Sequence, residues 1–225
     1  MNILIPQHQE YKFKSLGHIN KNMNKKIIKL ILEAAGKGLT IFDVDDSLFH
    51  SKARVQVKKD GKVIKDLDNV QFNSYKLKKG EEFDFGQFRS AKLFNQTSTP
   101  IGKMIAKAKA IIKNATKAGS KVIVVTARGD MDDRDLFIDT FKAQGIDMSK
   151  VYIERAGNLG SGSTYKDKQT VFKKYLDSGE YKRIRLFDDA VTNLYALLSL
   201  RDDYPNVTFE AYRVKKDGSV KTIRK

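Results

Sequence analysis

Three carboxylates stand close together in residues 40–49, TIFDVDDSLF: Asp43, Asp45 and Asp46. They directly follow a short apolar run, a pattern typical of a buried strand that ends in acidic residues. Like charges this close raise one another's pKa, and a hard divalent cation such as Mg²⁺ relieves the repulsion. In open α/β folds ligands bind at the carboxyl edge of the sheet, so this motif indicates a site there. Taken alone, it is equally consistent with a polar turn after a strand.

Three later stretches also place polar groups at the ends of apolar runs or at the start of a helix. Residues 121–128 read KVIVVTAR, residues 164–176 read TYKDKQTVFKKYL, and residues 185–193 read RLFDDAVTN. With the first stretch, their order resembles the four motifs of the haloacid dehalogenase (HAD) superfamily: DxD after a strand, a threonine or serine after a second strand, a lysine, and paired acidic residues. The resemblance spans residues 38–200, most of the chain.

The resemblance implies a phosphatase that hydrolyses phosphate monoesters through an aspartyl-phosphate intermediate. In that scheme Asp43 is the nucleophile, and Asp45 protonates the leaving oxygen and then activates water. Thr126 hydrogen-bonds the transferring phosphoryl group, and Lys168 neutralises charge on the nucleophile and the phosphate. Ala127 and Arg128 are expected to contact the substrate.

The resemblance also implies a Mg²⁺ site. Asp43, the backbone carbonyl of Asp45, and Asp188 are its expected ligands, since phosphate chemistry with oxygen ligands calls for a hard cation. Asp189 and Asn193 are expected to contact these ligands rather than the ion itself.

Two lysines compete for the third motif. With Thr164 as the N-cap of a helix and Asp167 as its capping partner, Lys168 lies one turn in, on the apolar side. Lys166 then lies on the polar side, so the helical phase favours Lys168 and leaves Lys166 as the alternative.

The elements that must position these residues alternate between strand and helix along the chain. This pattern predicts an α/β fold of the Rossmannoid HAD type, with a mainly parallel sheet and helices on both faces, in a single domain of residues 1–225. Residues 50–99 interrupt it as a small β-containing cap, and residues 207–224 read as a C-terminal β-hairpin. Helices are predicted at 22–35, from Pro100 onward, and at 135–145, while residues 1–20 carry no recognisable pattern.

The insertion contains a hairpin signal at residues 59–61, Lys-Asp-Gly, and a run of aromatic residues. Its aromatic side chains either form the insertion's own core or stack on a base or sugar of the substrate. The first interpretation is the commoner one for such a cluster.

Composition narrows the function further. The 225 residues carry a formal net charge of +16 and no cysteine. The excess of lysine and arginine predicts attraction to polyanions, including nucleic acid, although a lysine-rich surface that serves solubility explains it equally well. No apolar run is long enough to span a bilayer, and the first residues lack a signal-peptide layout, so we expect a cytoplasmic protein without a membrane partner.

A phosphorylated substrate is therefore expected, and nucleotides and nucleic-acid ends are the first candidates. The size, the basic surface and the missing P-loop resemble the phosphatase part of viral polynucleotide-end repair proteins. The alternatives are a small-metabolite phosphatase and a nucleic-acid-binding protein that retains the fold.

Overall fold

The structure of the protein is a computed structural model that describes residues 36–117 and 119–224. The helix predicted at residues 22–35 and the irregular segment 1–20 lie outside the described residues. The strands are β1 (Lys37–Phe42), β2 (Phe49–His50), β3 (Val55–Lys59), β4 (Lys62–Leu67), β5 (Glu81–Asp84), β6 (Thr99–Pro100), β7 (Lys121–Thr126), β8 (Val151–Arg155), β9 (Tyr181–Asp188), β10 (Thr208–Val214) and β11 (Val220–Ile223). The α-helices are α1 (Asn69–Ser74), α2 (Gly86–Arg89), α3 (Ala91–Thr97), α4 (Gly102–Lys117), α5 (Arg134–Lys142), α6 (Thr164–Leu176) and α7 (Val191–Leu198).

A six-stranded sheet in the order β11-β10-β9-β1-β7-β8 forms the centre of the fold. Its strands are parallel except β11, which pairs antiparallel with β10. The predicted α/β class with a mainly parallel sheet is confirmed, and the architecture is compatible with a Rossmann-like fold. Among the described residues, no helix is long and apolar enough to cross a membrane.

Alternating side chains of the central strands feed two hydrophobic cores, one on each face of the sheet. Leu39 and Ile41 of β1 pack with α6 and α7, whereas Phe42 packs on the opposite face with α4 and α5. The period of two along a strand explains this division, and burial on both faces explains why these strands read as continuous apolar runs.

The insertion forms a three-stranded antiparallel sheet in the order β4-β3-β5. Its first hairpin turns at Asp60 and Gly61, whose φ angles of 51° and 74° are those that a tight two-residue turn requires. Four aromatic side chains cover the buried residues of this sheet: Phe72, Tyr75, Phe83 and Phe88. The interpretation of the aromatic run as the insertion's own core is therefore the one that the packing supports.

The predicted start of one helix is wrong by two residues. Pro100 belongs to β6, which pairs with β2, and α4 begins at Gly102. The chain stays extended because the Ile101 N–H donates to the Leu48 carbonyl at 2.9 Å, a tertiary bond that local propensity cannot reveal. The Ile101 carbonyl then accepts from Met104 N–H at 2.8 Å and opens the helix.

The N-cap of α6 is also displaced from its predicted position. Ser163, not Thr164, is the N-cap, and its side chain makes no capping hydrogen bond. The Asp167 carboxylate instead accepts from the Ser161 N–H at 3.1 Å, so it stabilises the loop that precedes the helix. The one-residue shift does not move Lys168 off the buried side.

Gly157 allows a close approach between two loops at the carboxyl edge of the sheet. A Cβ atom at this position would lie 2.1 Å from the carbonyl oxygen of Ala127 and 2.8 Å from the backbone of Arg128. Only a glycine permits this packing, because both neighbours are backbone atoms that cannot rotate away.

We expect Gly157→Ala to destabilise the protein by about 2 kcal/mol, as overpacking does at other tight sites. For a chain of this size that lowers Tm by roughly 4–8 °C, which thermal unfolding followed by circular dichroism measures. Gly102→Ala is the control, since a Cβ there meets nothing within 4 Å, and its effect should stay within about 0.5 kcal/mol. Equal Tm values for the two variants would contradict the close approach.

Candidate functional site

Three neighbouring parallel strands end at the same edge of the sheet and bring their polar residues together. Asp43 directly follows β1, Thr126 ends β7 and Asp188 ends β9. The Asp43 N–H donates to the Phe187 carbonyl at 3.0 Å, which continues the ladder between β1 and β9 by one bond. The sheet register therefore fixes the separation of Asp43 and Asp188 before any side-chain interaction is considered.

Asp43, Asp188 and Asp189 form an acidic cluster in which one carboxylate oxygen from each residue lies within 4.8 Å of the others. Asp43 is 5% exposed and Asp188 is fully buried. Burial raises the pKa of Asp43 well above its ordinary value; Lys168 opposes this shift, and the neighbouring aspartates add to it. Burial and the charge of Asp188 likewise raise the pKa of Asp189 to about 7.

Lys168 supplies the counter-charge inside this cluster. Its Nζ donates to Asp43 Oδ1 at 2.7 Å and to Asp188 Oδ2 at 2.8 Å, and the residue is 2% exposed. Burial acts to lower the pKa of this lysine, but the two carboxylates outweigh it and raise the pKa above its ordinary value, so the ammonium stays charged. Lys166 is exposed on the outer side of α6, and the geometry therefore places Lys168 at the site.

The paired carboxylates after β9 are held by short-range contacts. Asn193 Nδ2 donates to both oxygens of Asp188, at 3.0 and 3.1 Å, and the Ala190 N–H donates to Oδ1 at 2.9 Å. The Asp189 N–H donates to Ser47 Oγ at 3.0 Å, which ties the two acidic loops together. Asn193 thus contacts an expected ligand, whereas the Asp189 carboxylate lies in the cluster itself.

Asp45 points away from this cluster and pairs with Arg128. Arg128 Nε and Nη2 donate to the two carboxylate oxygens of Asp45 at 2.9 and 2.7 Å. Nη2 also donates to Ser51 Oγ at 2.8 Å, and Nη1 donates to the Phe88 carbonyl at 2.8 Å. The guanidinium lies 5.1 Å from the ring centre of Phe88 and 4.8 Å from that of Phe94.

These contacts engage most of the donors that Arg128 possesses. The residue is only 2% exposed and binds Asp45 and the insertion; its expected contact with the substrate stays a prediction. Thr126 is fully buried, and its Oγ1 accepts from the Arg128 N–H at 3.2 Å. Ala127, between them in the sequence, is exposed.

Ser47, Ser51 and Phe88 make contacts that the sequence did not predict. Ser47 belongs to the first acidic motif, and this position marks it as a candidate site residue. Only the folded chain shows that its Oγ accepts a hydrogen bond from the Asp189 N–H. Ser51 and Phe88 lie in the insertion, where no periodic pattern marks a residue that reaches back to the site.

A second small network lies beside the cluster. His50 Nδ1 lies 3.1 Å from Asp46 Oδ1, and its Nε2 lies 3.0 Å from the Lys216 carbonyl oxygen. Asp46 adopts a φ of 55°, which turns the loop after β1 back toward the strand pair of β2 and β6. These contacts join the first acidic loop to the turn between β10 and β11.

The cluster fits a hard metal ion by the chemistry of its donors. It offers carboxylate oxygens from Asp43, Asp188 and Asp189, with one ammonium against three carboxylates. Lys168 therefore leaves negative charge that a cation can neutralise. The side chain of Asp45, an expected ligand residue through its backbone carbonyl, takes no part in the cluster.

The sequence matches no model of a known protein family, and no curated protein matches it significantly.

We expect Lys168→Met to destabilise the protein by about 3 kcal/mol, because it leaves buried carboxylates without their counter-charge. Lys166→Met is the matched control on the same helix and should change the free energy of unfolding by less than about 0.5 kcal/mol. Urea unfolding in EDTA measures both. Similar destabilisation of the two variants would show that the buried ion pairs do not stabilise the fold.

A pH-dependent effect is expected for Asp189→Asn in EDTA. Because the folded state raises the pKa of this carboxyl to about 7, the folded protein binds the proton more tightly than the unfolded chain. The ionisation of Asp189 thus lowers the free energy of unfolding as the pH rises from about 4 to 7. At pH 7.5 the free energy of unfolding of the variant should exceed that of the wild type by at least about 1 kcal/mol. Near pH 4 the two should converge, and Tm across this range measures the difference.

Asp202→Asn removes an exposed carboxylate outside the site and serves as the control. A constant difference between Asp189→Asn and the wild type at every pH would exclude the proposed titration.

Proposed function

We propose that the protein is a Mg²⁺-dependent phosphohydrolase of the HAD type, in which Asp43 is the nucleophile. The observation that carries the proposal is the position of Lys168, whose ammonium bridges the Asp43 and Asp188 carboxylates inside a buried acidic cluster. A lysine in this position opposes the rise in pKa that burial causes in Asp43, and an ionised carboxylate is what attack on phosphorus requires.

In the proposed reaction an Asp43 oxygen attacks phosphorus, the bond from phosphorus to the leaving oxygen breaks, and an aspartyl-phosphate forms. Asp45, once it has left Arg128 and taken up a proton from solvent, gives that proton to the leaving oxygen. It then takes a proton from the water that attacks the intermediate and releases phosphate. Asp43, Asp188 and Asp189 would hold Mg²⁺, which when bound neutralises phosphate charge. Before the attack, the Lys168 ammonium favours the ionised form of Asp43 and opposes the rise in pKa that burial causes.

The contacts of Asp45 determine when this residue can take part in the proposed reaction. Both of its oxygens accept hydrogen bonds from Arg128, so proton delivery to a leaving group requires Asp45 to turn out of this pair. Ser51 and Phe88 hold Arg128 in place, and both belong to the insertion. A substrate that displaces the insertion would therefore free Asp45 from Arg128, so that Asp45 could take up the proton that the leaving oxygen needs.

We expect Asp43→Asn to reduce phosphate release from p-nitrophenyl phosphate by about a thousandfold or more, because an amide cannot serve as the nucleophile. The fold should persist, since the substitution nearly preserves shape. EDTA should abolish the activity of the wild type, and added Mg²⁺ should restore it. Asp202→Asn, which carries the same chemical change at an exposed position, should retain full activity.

Near-wild-type turnover by Asp43→Asn would exclude the covalent route. Full activity in EDTA would exclude the role of the metal ion. Because the EDTA assay does not test the nucleophile, both assays are run on the same preparation.

A further inference from the structure

A groove of about 600 Å³ lies on the sheet face that carries Phe42. It runs between α4 and the edge strand β11. The residues that line it include Lys103, Lys107, Arg185, Phe187, Tyr212 and Val220. Cationic side chains thus form its walls, and two aromatic rings belong to its floor.

Phe187 and Tyr212 in the floor of the groove belong to a ladder of stacked rings that continues inward to the buried Phe42. Phe42, Phe187 and Tyr212 occupy matching positions on β1, β9 and β10. The rings of Phe42 and Phe187 are 5.0 Å apart at 10°, and those of Phe187 and Tyr212 are 4.9 Å apart at 15°. Each spacing equals the separation of neighbouring strands, about 4.8 Å.

The ladder stops one strand before the edge of the sheet. The residue of β11 that pairs with Tyr212 is Thr222, which is small and exposed. The position beside the outer face of Tyr212 therefore offers room for one more planar group at the same spacing. A nucleobase has the shape and the π-face that such a position accepts, and stacking of this kind tolerates any base.

The charges around the groove suit a phosphate backbone. Helix α4 contains five lysines and no acidic residue. Two acidic residues of the groove region pair with two of its cations, Glu210 with Arg185 at 2.7 Å and Asp217 with Lys103 at 3.2 Å. A phosphate at Lys103 would therefore replace the exposed Asp217 as its partner, whereas no carboxylate is paired with Lys107 among the described residues. Lys107 lies over the Phe187 ring, 6.0 Å from its centre, so its charge stands directly above the floor.

We propose that this groove binds single-stranded nucleic acid, with a base stacked on the outer face of Tyr212 and phosphates at Lys103 and Lys107. Phe187, in the floor of the groove, directly precedes Asp188 of the acidic cluster, so β9 contributes residues to both sites. The inference rests on the proposed function for its catalytic consequence, which is that the substrate is the terminal phosphate of such a strand. Binding itself requires only the groove.

Binding is tested with the full chain and a fluorescein-labelled, twelve-nucleotide single-stranded DNA that has hydroxyl groups at both ends. Fluorescence anisotropy gives Kd at several salt concentrations. Thr222→Phe places a ring in the open position of the ladder and should raise Kd about tenfold, the order expected when one base can no longer stack. Tyr212→Phe keeps the stacking face and should bind as the wild type does.

The charge contribution is tested by the double variant Lys103→Gln, Lys107→Gln. It should weaken binding and flatten the slope of log K against log salt by about 1.4, or roughly 0.7 for each phosphate that the protein no longer neutralises. Lys109→Gln, Lys113→Gln is the matched control, with the same charge change on exposed residues of the same helix. Its slope should stay close to that of the wild type.

Equal weakening in the two double variants would overturn the groove as the site, since only net charge would then matter. Unchanged binding by Thr222→Phe would overturn the stacking position. Absence of wild-type binding at low salt, or displacement of the oligonucleotide by millimolar AMP, would overturn the assignment to a nucleic-acid strand.

These outcomes are independent of the phosphatase assay, because the probe carries no terminal phosphate. Groove-dependent binding without hydrolysis of any phosphate ester would refute the proposed function alone. Hydrolysis of p-nitrophenyl phosphate without groove-dependent binding would refute the inference alone.

Discussion

The bridge from Lys168 to Asp43 and Asp188 is the interaction on which the rest of the site depends. Two carboxylates buried this completely would otherwise repel each other and take up protons. One ammonium bonded to both joins α6 to the ends of β1 and β9, so the same contact closes the core and sets the charge of the site. A buried ion pair of this kind adds little net stability over an apolar core, but removing one partner is costly. Its chemical role is therefore the better explanation for its presence.

The charge balance of the cluster follows from this bridge. One lysine cannot neutralise three carboxylates, and the pKa is raised both for Asp43 and for Asp189, the carboxylate that Lys168 does not contact. With a pKa of about 7, Asp189 holds a proton for part of the time near neutral pH when no metal ion is bound. A divalent cation would release that proton and replace it, so metal affinity should rise with pH.

Much of this arrangement could be predicted from the sequence, because it depends on periodicity. Apolar runs that end in Asp43, Thr126 and Asp188 predict parallel strands with polar groups at one edge, and helical phase alone favours Lys168 over Lys166. The features that could not be predicted depend on tertiary hydrogen bonds. The Ile101 N–H bonds to the Leu48 carbonyl and delays the start of α4, and no local pattern records such a bond.

The contacts of Arg128 show most clearly where local inference ends. A residue directly after the second motif is a reasonable candidate for contacting substrate, yet its side chain lies between two rings and bonds to Asp45, Ser51 and the Phe88 carbonyl. Two of these partners come from the insertion, whose path over the sheet edge depends on long-range packing.

The Arg128 contacts link the position of Asp45 to that of the insertion. A rigid guanidinium that binds Asp45 on one side and the insertion on the other makes their positions interdependent, because it cannot satisfy both sets of bonds if either one moves. In the proposed reaction the insertion would therefore act through Asp45 without supplying a catalytic group. In a site where Lys168 already fixes Asp43 and Asp188, Asp45 is the one carboxylate of the DxD pair whose orientation the insertion can change.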